Sequence, residues 1–468
     1  MSTVITRPGT ASPVRRSGVR ADIVAGAAAL LLVFVALVVG MRTGARLYGA
    51  EHFQHASPRF GEYPVLGSLL PHVGPGSVLA VVLAVAAVAW GPGLAERLGW
   101  RLALTGAYVL CVAWTFALAL VDGWQRGVAH RLAEGPEYLS EVPGITDIPA
   151  MLRTFTDRIL ATAPDPWITH VSGHPPGATL VFVWLDRIGL SGPTAAGVFC
   201  VLVGGLVAVA VPMTVAALGR IDLARAALPF VALLPGAVWL GVSADAMFAG
   251  VVSTGVAVLA VGSARLTTGR SAGGLLCATG GLLLGFGIFL SYGLLLMAPI
   301  ALAVVLVSRC WRALLYAVPA ALAVAGTFAL AGFWWVDGYQ LVVERYYSGI
   351  ASVRPYWYWM WANFACLALA AGPAVAAGLR RSVPRFLDGL PGREPPTPVV
   401  ALVRGAALAV LTADLTGLSK AETERIWLPF VVWLVLAAAT LPRESRRWWL
   451  VAQAGTALAV NHVLLTNW

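Results

Sequence analysis

A 468-residue chain that is 59% hydrophobic and only 12% charged, with a mean hydropathy of +0.80, is excluded from the soluble enzymes and reads as an all-α polytopic membrane protein. The 32 basic residues against 22 acidic ones give +10. Much of the excess is arginine in short loops between apolar runs, where it fixes topology and meets anionic headgroups, so nucleic acid is not implied.

Taken in chain order, Arg15, Arg16 and Arg20 precede an apolar run from Ile23 to Gly40. No small-residue cleavage site is evident, which predicts a retained signal anchor with a cytoplasmic N-terminus. Runs near the ~20 residues needed to cross ~30 Å of hydrocarbon recur at 22–41, 76–92, 101–121, 193–218, 224–241, 245–264, 272–290, 293–308, 313–333, 356–379, 398–414, 426–441 and 449–466. The expected architecture is therefore about thirteen transmembrane helices. Segment 178–190 is apolar but short and carries Asp186 and Arg187. If it does not cross, the arginines at 97, 101, 220, 225, 265, 270, 309, 312, 380, 381, 385, 443, 446 and 447 share the cytoplasmic side, so a re-entrant or half helix is favoured. Loops 42–75, 122–176, 334–355 and 414–425 then share the outer face.

The implied organisation is an N-terminal anchor with two extra spans (1–100) and a main helical core (101–383) with its outer loop 122–176. A Pro/Gly-rich cytoplasmic linker (384–397) and a C-terminal helical group (398–468) follow. Neither a repeat period nor two matching halves with interrupted helices is evident. The five cysteines, Cys111, Cys200, Cys277, Cys310 and Cys366, lie in or at the ends of apolar runs and read as small hydrophobes.

Chemistry has to come from the few retained polar groups. Asp122 ends an apolar helix, where a partly desolvated carboxylate suits a general base; it also suits a plain helix end before Gly123. Glu134, Glu137 and Glu141 follow. Segment 149–162 places Met151, Leu152, Phe155, Ile159 and Leu160 at helical spacing, predicting an amphipathic helix on the membrane surface with Asp157 and Arg158 as its solvated face. His170 and His174 have the interval of a helical metal pair, but Gly173, Pro175 and Pro176 argue against a helix there. Pro just inside a helix start needs no amide partner, so His174-Pro-Pro-Gly177 predicts a helix start that fixes His174. Glu51, His52 and His55 form a second weak metal or phosphate candidate. A divalent metal is compatible with the sequence and not required by it.

Asp245 opens a span, either as a functional intramembrane carboxylate or, with Ser243, as a helix cap. The stretch from Asp414 to Phe430 is the densest charge cluster between two helices and holds Lys420, the one lysine of the chain, with Glu422, Glu424 and Arg425. It is either a solvated turn or a phosphate site of paired cations. The aromatics of 333–364, among them Trp334, Trp335, Tyr346, Tyr347, Trp357 and Trp359, fit an interfacial belt, with sugar-stacking or prenyl contact as the alternative. No P-loop, Rossmann fingerprint or Gly-x-Ser-x-Gly elbow occurs in a credible context.

In the order Asp122, Glu137-Tyr138, the 149–162 segment and His174-Pro175-Pro176, the chain resembles the glycosyltransferase C superfamily of polyprenyl-phosphate-sugar-dependent membrane enzymes. Val-Ser-Ala-Asp245-Ala-Met-Phe resembles that family's later acidic motif, and Lys420…Glu424-Arg425-Ile-Trp-Leu-Pro-Phe is similar to a motif of actinobacterial members. The likeness covers roughly 101–310 plus the C-terminal motif. The chain departs in its two extra leading spans, in lacking an adjacent acidic pair after the first core helix, and in a 178–190 segment that does not cross.

The resemblance implies a bacterial plasma-membrane enzyme that transfers a sugar from a polyprenyl-phosphate donor to a glycan or lipid acceptor on the extracytoplasmic face. Asp122 by preference, with Glu137, would supply the catalytic carboxylate, and Tyr138, His174, Asp245, Lys420, Glu424 and Arg425 would bind substrate. The competing expectation is a transporter or flippase of a lipid or lipid-linked sugar, which the same cavity and a buried Asp245 would serve.

Overall fold

The computed structural model describes residues 13–43, 64–382 and 396–466. The first helices are α1 (Pro13–Thr43), then, after strand β1 (Gly67–Leu69), α2 (Gly76–Arg97) and α3 (Trp100–Ala119). Short elements follow: α4 (Ile148–Thr154), α5 (Thr169–Gly173) and α6 (Pro176–Arg187). The bundle continues with α7 (Pro193–Gly205), α8 (Val207–Ala217), α9 (Ile221–Ala232), α10 (Ala237–Leu240), α11 (Ala244–Thr267), α12 (Gly273–Leu290), α13 (Ala298–Ser308) and α14 (Leu314–Leu330). It closes with α15 (Trp335–Ser348), α16 (Tyr356–Ala371), α17 (Pro373–Ser382), α18 (Pro398–Leu415), α19 (Thr423–Ile426), α20 (Leu428–Leu434), α21 (Arg446–Val463) and strand β2 (Leu464–Thr466).

Eight helices among the described residues are long and apolar enough to cross a membrane: Gly18–Thr43, Gly76–Arg97, Trp100–Asp122, Pro193–Ala217, Ala244–Thr267, Gly273–Leu290, Trp311–Leu330 and Pro398–Leu415. A ninth results if Tyr356–Ala371 and Pro373–Ser382 count as one span, although they bend by 106°. The bend sits where Gly372 takes a positive φ of 84° and Pro373 starts the next helix, a junction that glycine tolerates and proline cannot continue straight through. The remaining expected spans do not form helices of that length and hydropathy. Segment 224–241 breaks at Pro235-Gly236 into α9 and α10, and α10 and α20 are buried throughout. Runs this short and this enclosed fill the protein core. These features are compatible with a polytopic membrane protein.

The most enclosed span is α11, which packs on α7, α8, α12, α13 and α20. Close approach comes from glycine: a Cβ on Gly281 would overlap the Ala317 carbonyl of α14, and one on Gly285 would sit 2.7 Å from Ala321 Cα. The small-residue seam of α12 therefore sets its distance from α14. Gly281→Val is expected to lower the thermal-unfolding midpoint in detergent, by the ~1–3 kcal/mol typical of overpacking; an unchanged midpoint would mean the seam is not close-packed.

Two expectations about the outer loop are corrected. Helix α4 ends at Thr154, and the rest of 149–162 is a short 3-10 turn and bends. Met151, Leu152, Phe155 and Ile159 are buried against the protein. The chain folds back here: Trp167 N donates to Arg158 O and Trp167 Nε1 to Phe155 O. Arg158 lies over the Trp167 ring and pairs with Glu141 and Asp165 instead of forming a solvated face. Helix α6 starts at Pro176 with Pro175 as its N-cap, as the Pro-Pro step predicts. Its 12 residues span ~18 Å, too short to cross. Arg187 at its far end donates to Thr146 O in the 122–176 loop at 2.8 Å, so both ends of α6 remain at one end of the bundle. The linker 384–395 and the Glu51, His52, His55 group lie outside the described residues.

Candidate functional site

The end of the bundle where α3 stops and α11 starts gathers most of the buried charge. Ser243 caps α11, accepting from Ala246 N at 3.3 Å, so Asp245 is in the first turn and is released for other work. Its Oδ2 accepts from Arg425 Nη1 at 2.7 Å, across 180 residues. Arg425 Nη2 reaches Glu422 Oε2 at 3.3 Å, and Arg354 Nη2 donates to Glu422 Oε1 at 2.9 Å. Arg354 Nη1 also donates to the Lys420 carbonyl at 2.5 Å. Carboxylates and guanidiniums thus alternate through a buried chain in which each charge answers the next, as charges removed from water require.

The 414–425 turn is no solvated loop. Lys420, Glu424 and Arg425 are buried. Asn363 of α16 clamps it, donating from Nδ2 to Asp414 Oδ1 and Ser419 O and accepting from Ala421 N. Ala421 and Glu422 hold φ of 70° and 62°, consecutive left-handed conformations that side chains with a Cβ resist. The Asn363 and Arg354 contacts fix that backbone, and Glu422 is thereby aimed between two arginines.

A second arm comes from the long outer loop. Glu137 Oε1 lies 3.0 Å from His170 Nδ1. Burial pushes the Glu137 carboxyl up, but His170, Arg425 and Arg131 outweigh it and hold the group below the usual carboxylate range. Glu137 is therefore ionised at neutral pH. Contrary to the sequence expectation, His170 does lie in a helical turn, α5, with His174 as its C-cap. His174 Nδ1 donates to His170 O at 2.8 Å, which leaves Nε2 as the lone-pair nitrogen. Burial depresses His174 to about 4, against the pull of Asp245, so the ring is neutral. The buried Tyr138 ring packs between His170, His174 and Phe182; burial, then Asp245 and Glu137, raise its hydroxyl far above the ordinary value.

Of the sequence candidates, Glu137, Tyr138, His174, Asp245 and Arg425 share this cluster, and Lys420 joins it through Arg354. Asp122 sits apart. Its Oδ1 accepts from His72 Nε2 at 2.8 Å and its Oδ2 from Arg126 Nε at 3.2 Å. His72 Nδ1 faces Leu70 O at 2.7 Å. Arg126 Nη2 donates to Thr466 O of β2, and β2 pairs antiparallel with β1. Arg131 bridges the two groups electrostatically. It is buried, feels both Asp122 and Glu137, and burial lowers it to about 10. Arg354, His72 and Arg131 escape sequence reasoning as site residues, and Glu422 stands in the sequence only as a member of the 414–430 charge cluster. For Glu422 and Arg354 a signal existed: an acidic residue beside the sole lysine, and an arginine directly before an aromatic helix.

Glu424 faces away, toward the Cys366 thiol of α16, and is pushed up to about 7 mainly by burial and by repulsion from Glu422. Neither of its oxygens meets a conventional hydrogen-bond donor. A carboxyl raised above its unfolded value contributes stability that is complete below about 4.5 and is lost as pH rises through about 7. Glu424→Gln should match the parent protein in thermal midpoint at the acid end of that window and exceed it above pH ~7, by up to about 3 kcal/mol. A pH-independent difference would sink this assignment.

Lys420 is the cation with room. Its Nζ donates to Ala351 O at 3.1 Å and lies 5.2 Å from the Tyr347 ring centroid. Burial, then Arg354, depress its pKa, and no carboxylate partner is found among the described residues. Tyr347 also lines an open groove of about 350 Å³ with Tyr339, Gln340, Val343, Thr416 and Leu418. Tyr339, Val343 and Tyr347 recur every four residues and form one face of α15. Trp335, on the same face, stacks on Tyr339 at 5.5 Å. The five cysteines are buried and free. No group of three or more His, Cys, Asp or Glu able to hold a metal ion occurs among the described residues. No protein-family model, curated protein or solved structure matches this chain.

Proposed function

We propose that the chain is an integral membrane glycosyltransferase that moves a sugar from a polyprenyl-phosphate donor to an envelope glycan or lipid acceptor at the extracytoplasmic face of a bacterial plasma membrane. The observation that carries this reading is the meeting of three polar segments, 122–176, 334–355 and 414–425, on one buried charge chain beside an aromatic groove. In this reading the donor phosphate lies against Lys420, whose ammonium has donors to spare, with Tyr339 and Tyr347 flanking it. Arg425 and Arg354 are already answered by carboxylates and act by positioning Glu422 and Asp245. The acceptor hydroxyl attacks the anomeric carbon while the bond from that carbon to the phosphate oxygen breaks. The bonding pair leaves with the phosphate, and the hydroxyl proton passes to a carboxylate. Glu137 is preferred for that role, being ionised and within the cluster; Asp122 is the second candidate. The about thirteen spans of the sequence reading belong to this proposal, with α9–α10, α13, α20 and α21 counted as broken or tilted crossings.

The test is transfer from radiolabelled polyprenyl-phosphate sugars by purified protein. Glu137→Gln should lower turnover by ~10²–10⁴-fold, the range of a lost general base, and Asp122→Asn by less. Full activity of both variants would remove the assigned chemistry. Lipid-linked sugar moved between leaflets with no transfer would favour a flippase.

A further inference from the structure

At the opposite end of the bundle, away from the charge chain, Arg225, Arg443 and Arg446 line a pocket with a single carboxylate, Glu96. Its apolar wall is Pro92, Pro229, Phe230 and Leu450. The arginines come from α9, from α21 and from the turn before it, and two are pinned by main-chain carbonyls. Arg225 Nη1 donates to Ala95 O and Leu98 O at the end of α2. Arg446 donates to Leu441 O and Ala439 O. These bonds orient the guanidiniums, neutralise no charge, and leave further N–H donors on each. The one acid lining the pocket is held loosely, with Glu444 and Asp222 acting on Arg446 from outside the lining: Arg443 and Glu96 pair at 2.5 Å with side chains 71% and 46% exposed, and an ion pair so open to solvent contributes little and yields to a stronger anion.

The surrounding surface is apolar and exposed, with Trp90 and Leu94 on α2, Ile221 on α9 and Trp448 on α21. Tryptophans beside arginines at helix ends mark the depth of lipid headgroups, and basic pockets between membrane helices suit anionic headgroups. We infer that this pocket binds the phosphate of an anionic glycerophospholipid, with Arg443 and Arg446 on the phosphate and the acyl chains along the exposed apolar flank. A bidentate guanidinium suits a phosphate diester oxygen pair, and the excess of cations disfavours a zwitterionic headgroup, whose ammonium would meet three arginines. The inference is independent of the sugar-transfer reading.

The experiment is native mass spectrometry and thermal unfolding of the full-length protein in neutral detergent. Phosphatidylglycerol, phosphatidylcholine and inorganic phosphate are titrated separately. Phosphatidylglycerol should bind roughly tenfold or more tighter than phosphatidylcholine, as expected for about two extra arginine contacts, and inorganic phosphate should not reproduce the stabilisation. Arg443→Gln with Arg446→Gln should abolish the preference. Because Arg446 also caps a helix end, Glu96→Gln serves as the second variant: it removes the competing acid and should tighten phosphatidylglycerol binding. Equal affinity for both lipids, full stabilisation by phosphate alone, or a Glu96→Gln protein that binds phosphatidylglycerol no more tightly would each overturn the assignment.

Discussion

Replacing Arg425 by Met is expected to destabilise the protein by ~3–5 kcal/mol, the range for breaking a buried ion pair from one side. Arg425 answers Asp245 at 2.7 Å and Glu422 at 3.3 Å, and it is among the cations that keep Glu137 ionised. Its loss leaves carboxylates buried without an equivalent cation, and no water shell replaces it. The cost should shrink when the acid is removed as well. Arg425→Met combined with Asp245→Leu is expected to recover part of the lost midpoint, since an apolar pair of similar volume is often tolerated where half an ion pair is not. Thermal unfolding of the two single variants and the double variant in one detergent gives the coupling. Additive losses would mean that the two side chains stabilise the bundle independently.

Lys420→Met should separate chemistry from stability. The ammonium is held by one carbonyl and one aromatic ring, so the midpoint should move little. If the leaving phosphate lies against Lys420, turnover should fall by ~10²–10³-fold, as when a preorganised charge-stabilising donor is lost. The fall should appear in kcat more than in KM, because charge on the phosphate oxygen grows toward the transition state. A loss confined to KM would assign Lys420 to donor binding alone. No loss at all would take the phosphate away from this groove.

The long apolar helices were legible because ~20 apolar residues in a row have few other uses; α2, α3, α11, α12 and α18 lie where hydropathy puts them. The same signal is ambiguous at α9–α10 and α20, since a protein interior is as apolar as a bilayer and composition does not tell the two apart. The amphipathic spacing of 149–162 was real, yet its apolar face meets protein rather than lipid, because Trp167 and Arg158 turn the chain back on itself. In the candidate site, residue types were legible and pairings were not. Asp245 and Arg425 stand out as ionisable groups next to spans, but their partnership spans 180 positions and leaves no local pattern. His72 and Arg354, each alone beside proline, look like ordinary loop residues until the fold supplies Asp122 and Glu422.

The small β1–β2 ribbon has a consequence for how the protein is made. Chains are synthesised from the N-terminus, and each segment packs as its partners emerge. Asp122 is reached early, yet Arg126 beside it waits 340 residues for the Thr466 carbonyl, and β1 waits longer still for β2. The contacts around Asp122 are thus complete only once β2 has been made and paired with β1.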